Sequence, residues 1–292
     1  MKTFLRKLGR FMLRLVVGLV ILVVVLVIAA RLLMPDEIKK MEETARTFSA
    51  DPDADFGVID GMHFARSGAP DAPVTLLFVH GSPGGWDAFA RLLLDPELKA
   101  RFHMIAPDRP GYGKTQPGVH VGSMKEQARR LANLVKNRPG KIIWFGHSFG
   151  PPLVTRAALD FPDRVDGMIL VAGAMDPALE EPKWFHQLGG TRLGRRVLSP
   201  MWDVTNQEVL DFEQGLVEME PELERLTVPT IVIHGQKDGL ARYGHVDYMR
   251  RRLTNTRPEI VTLEDGNHFI LWNRFEVMKE AILRLADRLE GE

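Results

Sequence analysis

From Gly57 onward, short apolar runs alternate with longer amphipathic ones, the pattern of parallel strands separated by helices. Strands are predicted at Val74 to Val79, His103 to Ala106, Lys141 to Phe145, Val165 to Val171, Thr230 to Ile233 and Glu259 to Leu263, each bounded by Gly, Pro or Asp. Helices are predicted between them at Trp86 to Leu94, Ser123 to Lys136, Pro151 to Phe161, Tyr243 to Leu253 and Phe275 to Leu289. Asp60-Gly61, flanked by Val58-Ile59 and Met62-His63-Phe64, predicts an opening hairpin. The alternation breaks over about 174–227, where helix-like pieces occur without a convincing strand, so a helical cap is expected there. The whole reads as an α/β fold, a mostly parallel sheet flanked by helices over residues 57–292.

Ahead of this part lies a different pattern. From Leu15 to Ile28 every residue but Gly18 is Leu, Val or Ile. As a helix, the stretch 11–34 would reach roughly 36 Å, enough for a hydrocarbon core of about 30 Å. One N-terminal transmembrane helix is therefore expected over 11–34, with a basic cytoplasmic segment at 1–10 and a charged juxtamembrane spacer at 35–56. A cleaved signal peptide is the competing reading, with Val27 to Ala30 as a loose cleavage site. Basic residues cluster before the run, which puts the N-terminus in the cytoplasm and the folded part outside it, in the periplasm if the source is bacterial.

Charge and composition narrow the chemistry. The 292 residues hold 38 basic and 38 acidic side chains, but the first 35 carry six of the bases and no acid. The remainder has 32 basic against 38 acidic residues, a net charge of −6. A domain of that sign with no basic stripe has no general attraction for phosphate backbones, so no nucleic-acid partner is expected. The absence of cysteine removes thiolate metal sites and a cysteine nucleophile. No H-E-x-x-H or comparable spacing occurs, and neither a metal nor a cofactor is expected. Gly113-Lys114-Thr115 ends like a phosphate-binding loop, but Asp108 stands where that pattern needs glycine and Gln116-Pro117-Gly118 follows where it needs a helix; nucleotide binding is not expected.

The residues that carry chemistry lie at predicted strand ends. Gly146-His147-Ser148-Phe149-Gly150 joins a strand to a helix, the setting in which G-x-S-x-G forms a turn sharp enough to project a serine hydroxyl above a sheet. Serine needs a base, and the base needs a group to orient it. His268, after the last strand, supplies the base, and Asp238, after the strand before it, supplies the acid, with Asp176 as rival. Asp265 reads as a turn residue, and His80, His147 and His234 as packing beside the motifs. The turn His80-Gly81-Ser82-Pro83-Gly84-Gly85 can aim the Ser82 amide at Ser148, with the Phe149 amide as a second donor for an oxyanion. Trp184, Phe185, Trp202 and Phe269 are candidates to line a substrate pocket.

These motifs occur in the order His80-Gly81 with Pro83-Gly84, Asp108-Arg109-Pro110-Gly111-Tyr112-Gly113, the Ser148 turn, then the Asp238 and His268 loops. In this order, residues 57–292 resemble the α/β-hydrolase fold superfamily, in particular its lid-bearing serine esterases and lipases. The triad pattern of Ser148, His268 and Asp238, taken with the N-terminal span and the apolar cap, predicts a membrane-anchored serine hydrolase of carboxylic esters, lipid or other acyl esters. Serine at the turn argues against the dehalogenases and epoxide hydrolases of the superfamily, which carry aspartate there. The same triad also serves peptidases, thioesterases, carbon-carbon hydrolases, acyltransferases and cofactor-free haloperoxidases, and the scaffold can serve as a non-catalytic binding protein.

Overall fold

The computed structural model describes residues 9, 10, 12, 14, 16–18 and 35–291. Among them no helix is long and apolar enough to cross a membrane. That finding corrects the expected transmembrane helix: the described part of 11–34 is a few helical positions, and most of the apolar run lies outside the described residues. The location outside the cytoplasm, inferred from that span alone, falls with it.

The chain divides into a unit ending at Arg46 and a unit Thr47–Glu292. Helix α1 (Pro35–Ala50) occupies most of the expected spacer, and strand β1 (Asp55–Ile59) begins inside it. The second unit therefore starts well ahead of Gly57. The reason is Phe48, fully buried, with its ring 5.4 Å from Phe56 and 4.7 Å from Trp86.

Seven further strands follow: β2 (Met62–Gly68), β3 (Val74–Val79), β4 (His103–Pro107), β5 (Lys141–His147), β6 (Gly167–Val171), β7 (Thr230–Gly235) and β8 (Glu259–Leu263). They form one sheet in the order β1-β2-β4-β3-β5-β6-β7-β8. The pairings of β2 with β1 and β4 are antiparallel, and those from β4 to β8 are parallel. Asp60 and Gly61 both take positive φ, 50° and 76°, which is what a two-residue hairpin turn twisting with its strands requires.

The helices between strands are α2 (Ala90–Leu93), α3 (Pro96–Arg101), α4 (Met124–Leu134), α5 (Gly150–Asp160), the cap helices α6 (Trp184–Gly190), α7 (Arg192–Val197) and α8 (Pro200–Met219), then α9 (Gly244–Arg252), α10 (Ile270–Asn273) and α11 (Phe275–Glu290). Side chains of the central strands alternate between two cores. Leu77, Val79, Trp144, Leu170 and Val232 pack with α4, α5, α9 and part of α8. Leu76, Phe78, Phe145, Ile169 and Ile233 pack with α2, α3 and α11. A parallel sheet covered on both faces in this way has strands with no polar face, which is why β3, β6 and β7 are buried at every position.

Connections leave β3 in opposite directions, to β4 on one side and, through β4, to β5 on the other. Such a reversal leaves a crevice beyond the carboxyl ends of the strands. Gly146 and Gly150 let β5 turn into α5 there. A Cβ at Gly146 would lie 2.6 Å from the Pro151 nitrogen, and one at Gly150 would run into the Val79 carbonyl oxygen of β3. Both obstacles are backbone and cannot swing aside. Gly150→Ala is expected to destabilise the protein by about 3 kcal/mol or more in urea unfolding, whereas Gly239→Ala, which meets nothing within 4 Å, should stay within about 0.5 kcal/mol of wild type; equal effects would contradict this account of the turn.

Candidate active site

Ser148 stands at the tip of β5 with φ 61°, a left-handed conformation that a serine holds only where its surroundings enforce it. Its amide donates to the Val171 carbonyl at 2.9 Å, tying the turn to β6. On the other side Gly81 comes so close that a Cβ there would lie 2.9 Å from Ser148 Cβ and 3.3 Å from its Oγ. The turn that carries the Ser82 amide thus abuts the serine, and the Phe149 amide follows it in the chain.

The loops after β7 and β8 bring two more groups to this point. Ser148 Oγ lies 2.9 Å from His268 Nε2, and His268 Nδ1 lies 2.8 Å from Asp238 Oδ2. An ionised carboxylate only accepts, so His268 donates through Nδ1 and its Nε2 is left to accept the serine proton. Asp238 Oδ1 in turn accepts from the Leu240 and Ala241 amides, each at 2.9 Å. Burial pushes the Asp238 carboxyl up, but the hydrogen bond and charge of His268, with the Leu240 amide, outweigh it and hold the group below the ordinary carboxylate value. Asp176, the rival acid, accepts from the Ala178 amide at 3.0 Å and caps the turn Pro177–Leu179 instead. Asp265 is exposed and paired with Arg274.

Three buried histidines hold the loops in place. His80 Nε2 accepts from the Arg109 amide at 2.9 Å, so its Nδ1 donates to the Gly81 carbonyl at 2.7 Å. His147 Nε2 donates to the His268 carbonyl at 3.2 Å, and His234 Nε2 donates to the Ala241 carbonyl at 2.8 Å. Burial disfavours the charged form of all three. They are neutral struts, each on a different motif loop.

The aromatic candidates divide. Phe269 is 44% exposed, with its ring 6.0 Å from His268 and 5.9 Å from Trp272. Trp184, Phe185 and Trp202 are 76%, 47% and 51% exposed, and the ring contacts of Trp184 and Phe185 are with each other and with His186, inside the cap. What meets the Ser148 turn from the cap is Phe212 of α8, whose ring lies 4.6 Å from that of Phe149. A second cap residue, Glu208, forms a buried ion pair with Arg109 of the loop after β4, Nη1 to Oε1 at 2.6 Å. The sequence reading assigns Glu208 no role, although Val204, Glu208, Phe212 and Leu216 fall on one buried stripe of α8 at helical spacing. A charge on an apolar stripe is the signal that marks it.

The sheet order, the covered faces and the serine turn define an α/β-hydrolase-fold protein. Residues 74–196 match the family described as the alpha/beta hydrolase fold. The chain is 32% identical over 132 residues to an uncharacterized hydrolase of Saccharomyces cerevisiae. It is also 38% identical over 117 residues to the 2-hydroxy-6-oxononadienedioate/2-hydroxy-6-oxononatrienedioate hydrolase of Escherichia coli. The matches cover 44% and 38% of this chain, and 44% and 40% of those relatives' own lengths. Among solved structures it is similar in fold to a bacterial membrane phospholipase A described as a virulence factor, at a TM-score of 0.62 and 22% identity, over 96% of this chain and 99% of that one.

The neutral histidines make stability depend on pH with a definite sign. His147 is pushed down to about 3 from the ordinary 6.5, so the unfolded chain binds a proton there that the folded one refuses. Its contribution is whole above 6.5 and is lost as pH falls through the interval toward the folded value, about 2 kcal/mol between pH 7 and pH 5. His147→Gln, which keeps a donor for the His268 carbonyl, is expected to shrink the stability difference between pH 7 and pH 5 by about that amount in urea unfolding; an unchanged difference would contradict the neutral assignment.

Proposed function

We propose that the chain is a serine hydrolase of carboxylic esters, acting on acyl esters through Ser148, His268 and Asp238. The observation that carries this reading is the relay of hydrogen bonds, 2.9 Å from serine to histidine and 2.8 Å from histidine to aspartate, on a serine held at positive φ. Ser148 Oγ attacks the ester carbonyl while His268 Nε2 takes its proton, and Asp238 steadies the imidazolium that forms. The Ser82 and Phe149 amides receive the charge that develops on the carbonyl oxygen. His268 then returns the proton to the departing alcohol, and water enters by the same route to release the acid and restore Ser148.

The similarity to the Escherichia coli enzyme raises carbon-carbon bond hydrolysis as a second reading. A substrate of the kind in that enzyme's name carries two carboxylates, which call for a cation at the site. Arg109, in the loop after β4, is fully buried and has its N–H groups committed to Glu208, Gln127 and the carbonyls of His80 and Gly81. That withholds Arg109 from a dianionic substrate. An intact relay likewise gives a non-catalytic scaffold no support.

Hydrolysis of p-nitrophenyl esters from acetate to palmitate by the full chain is expected to require Ser148 and vanish in Ser148→Ala. Asp238→Asn should lower kcat by about 10⁴-fold, because the wrong tautomer of His268 is then favoured. A preference for long chains would identify lipid esters, and one for acetate or butyrate small esters. Turnover that survives Ser148→Ala would overturn the proposal, and labelling by a fluorophosphonate without hydrolysis of any ester would transfer the same residues to peptide, thioester or carbon-carbon chemistry.

A further inference from the structure

One carboxylate of the cap is linked, through Arg109 and Tyr112, to His80, Gly81 and Ser82 of the turn beside the serine. Glu208 Oε1 accepts from Arg109 Nη1 at 2.6 Å and from Gln127 Nε2 at 3.1 Å, and Oε2 accepts from Arg109 Nη2 at 3.0 Å and from the Tyr112 hydroxyl at 2.7 Å. Arg109 passes the restraint on. Its Nε donates to the His80 carbonyl at 3.0 Å and its Nη2 to the Gly81 carbonyl at 2.9 Å, while Nη1 also meets Gln127 Oε1 at 2.9 Å. The five N–H groups of a guanidinium are thereby all used, so this arginine has no donor left for a substrate. Tyr112 forms the second arm: its one proton goes to Glu208, so at 2.7 Å it is Ser82 Oγ that donates to the tyrosine oxygen.

We propose that Glu208 is a positioning residue for the oxyanion site, fixing the turn His80-Gly81-Ser82 through Arg109 and Tyr112 so that the Ser82 amide stays aimed at Ser148. The inference rests on the ester-hydrolase reading of that site. The same cap helix also reaches the second donor. Phe212, one turn on from Glu208 along α8, packs on Phe149, and the Arg109 guanidinium lies 4.7 Å from the centre of the Phe149 ring. Both amide-bearing residues are therefore braced from α8, and the cap contributes to the electrostatics of the reaction as well as to the walls around it. Preorganised donors matter in proportion to how little they move when charge develops, which is what a doubly tethered turn secures. An ion pair that served only packing would not need to end on two consecutive carbonyls, with the next residue's hydroxyl held through Tyr112.

The test compares inactivation of the full chain by an alkyl fluorophosphonate, whose phosphoryl oxygen occupies the oxyanion position, in wild type, Glu208→Gln, Tyr112→Phe and Ser148→Ala. Circular dichroism and a melting curve establish that each variant is folded. The maximal inactivation rate is expected to fall by about 10- to 100-fold in Glu208→Gln and by about 10-fold in Tyr112→Phe, with the concentration for half-maximal rate little changed. Should Glu208→Gln fail to fold, Tyr112→Phe leaves the Arg109–Glu208 pair whole and carries the same test. Folded variants that react at the wild-type rate, or that lose only affinity for the probe, would overturn the inference while Ser148→Ala still blocked labelling. Labelling that persisted in Ser148→Ala would remove the site reading itself.

Discussion

The structure turns on the close packing of backbone around Ser148. Its left-handed φ of 61° is tolerable because β5, α5 and the turn after β3 converge with no side chain between them. Gly146 and Gly150 permit the crossing from strand to helix, and Gly81 permits the β3 turn to lie against the serine. Everything the site offers follows from this approach. The Ser148 hydroxyl meets His268 there, and the β3 turn lies close against it, which is what the proposed oxyanion site requires of the Ser82 and Phe149 amides.

Around that point the site excludes stray charge. His80, His147 and His234 are buried, neutral and spent on backbone carbonyls, one for each loop that must not drift. Arg109 and Glu208 cancel one another and are nearly inaccessible to solvent. Burial pushes the Glu208 carboxyl up, yet the charge and hydrogen bonds of Arg109 more than offset it and keep the carboxylate ionised. Asp238 is the remaining charge in the relay, and its partners direct it at His268. In the proposed reaction such an arrangement reserves the imidazole for proton transfer.

Much of this is legible in the sequence because each feature has a local cause. β3 and β8 coincide with their apolar runs residue for residue, and Ser123, where a helix is predicted to begin, caps α4. The Ser148, Asp238 and His268 loops follow from chain order together with strand ends. Other features have causes remote in the chain. α3 is only six residues, too short for periodicity, although Asp95 before Pro96 is a start signal and the Asp95 carboxylate does cap it. β6 begins at Gly167 instead of Val165, where Asp166 turns its side chain to accept from the Ile142 amide. The start of the folded unit escapes a composition argument because a single Phe48 anchors a charged segment. In the cap, apolar residues occur both outside and inside, so Trp184 and Phe212 look alike in sequence and only packing separates them.

The central claim is that Ser148 becomes acylated and is then released by water. Mixing the full chain with p-nitrophenyl butyrate, quenching in acid within the first turnover and measuring the intact mass, followed by peptide mapping, tests it most directly. A transient gain of one butyryl group, located on Ser148 and absent once substrate is exhausted, is the predicted result. Turnover without any adduct, or an adduct on another residue, would contradict it.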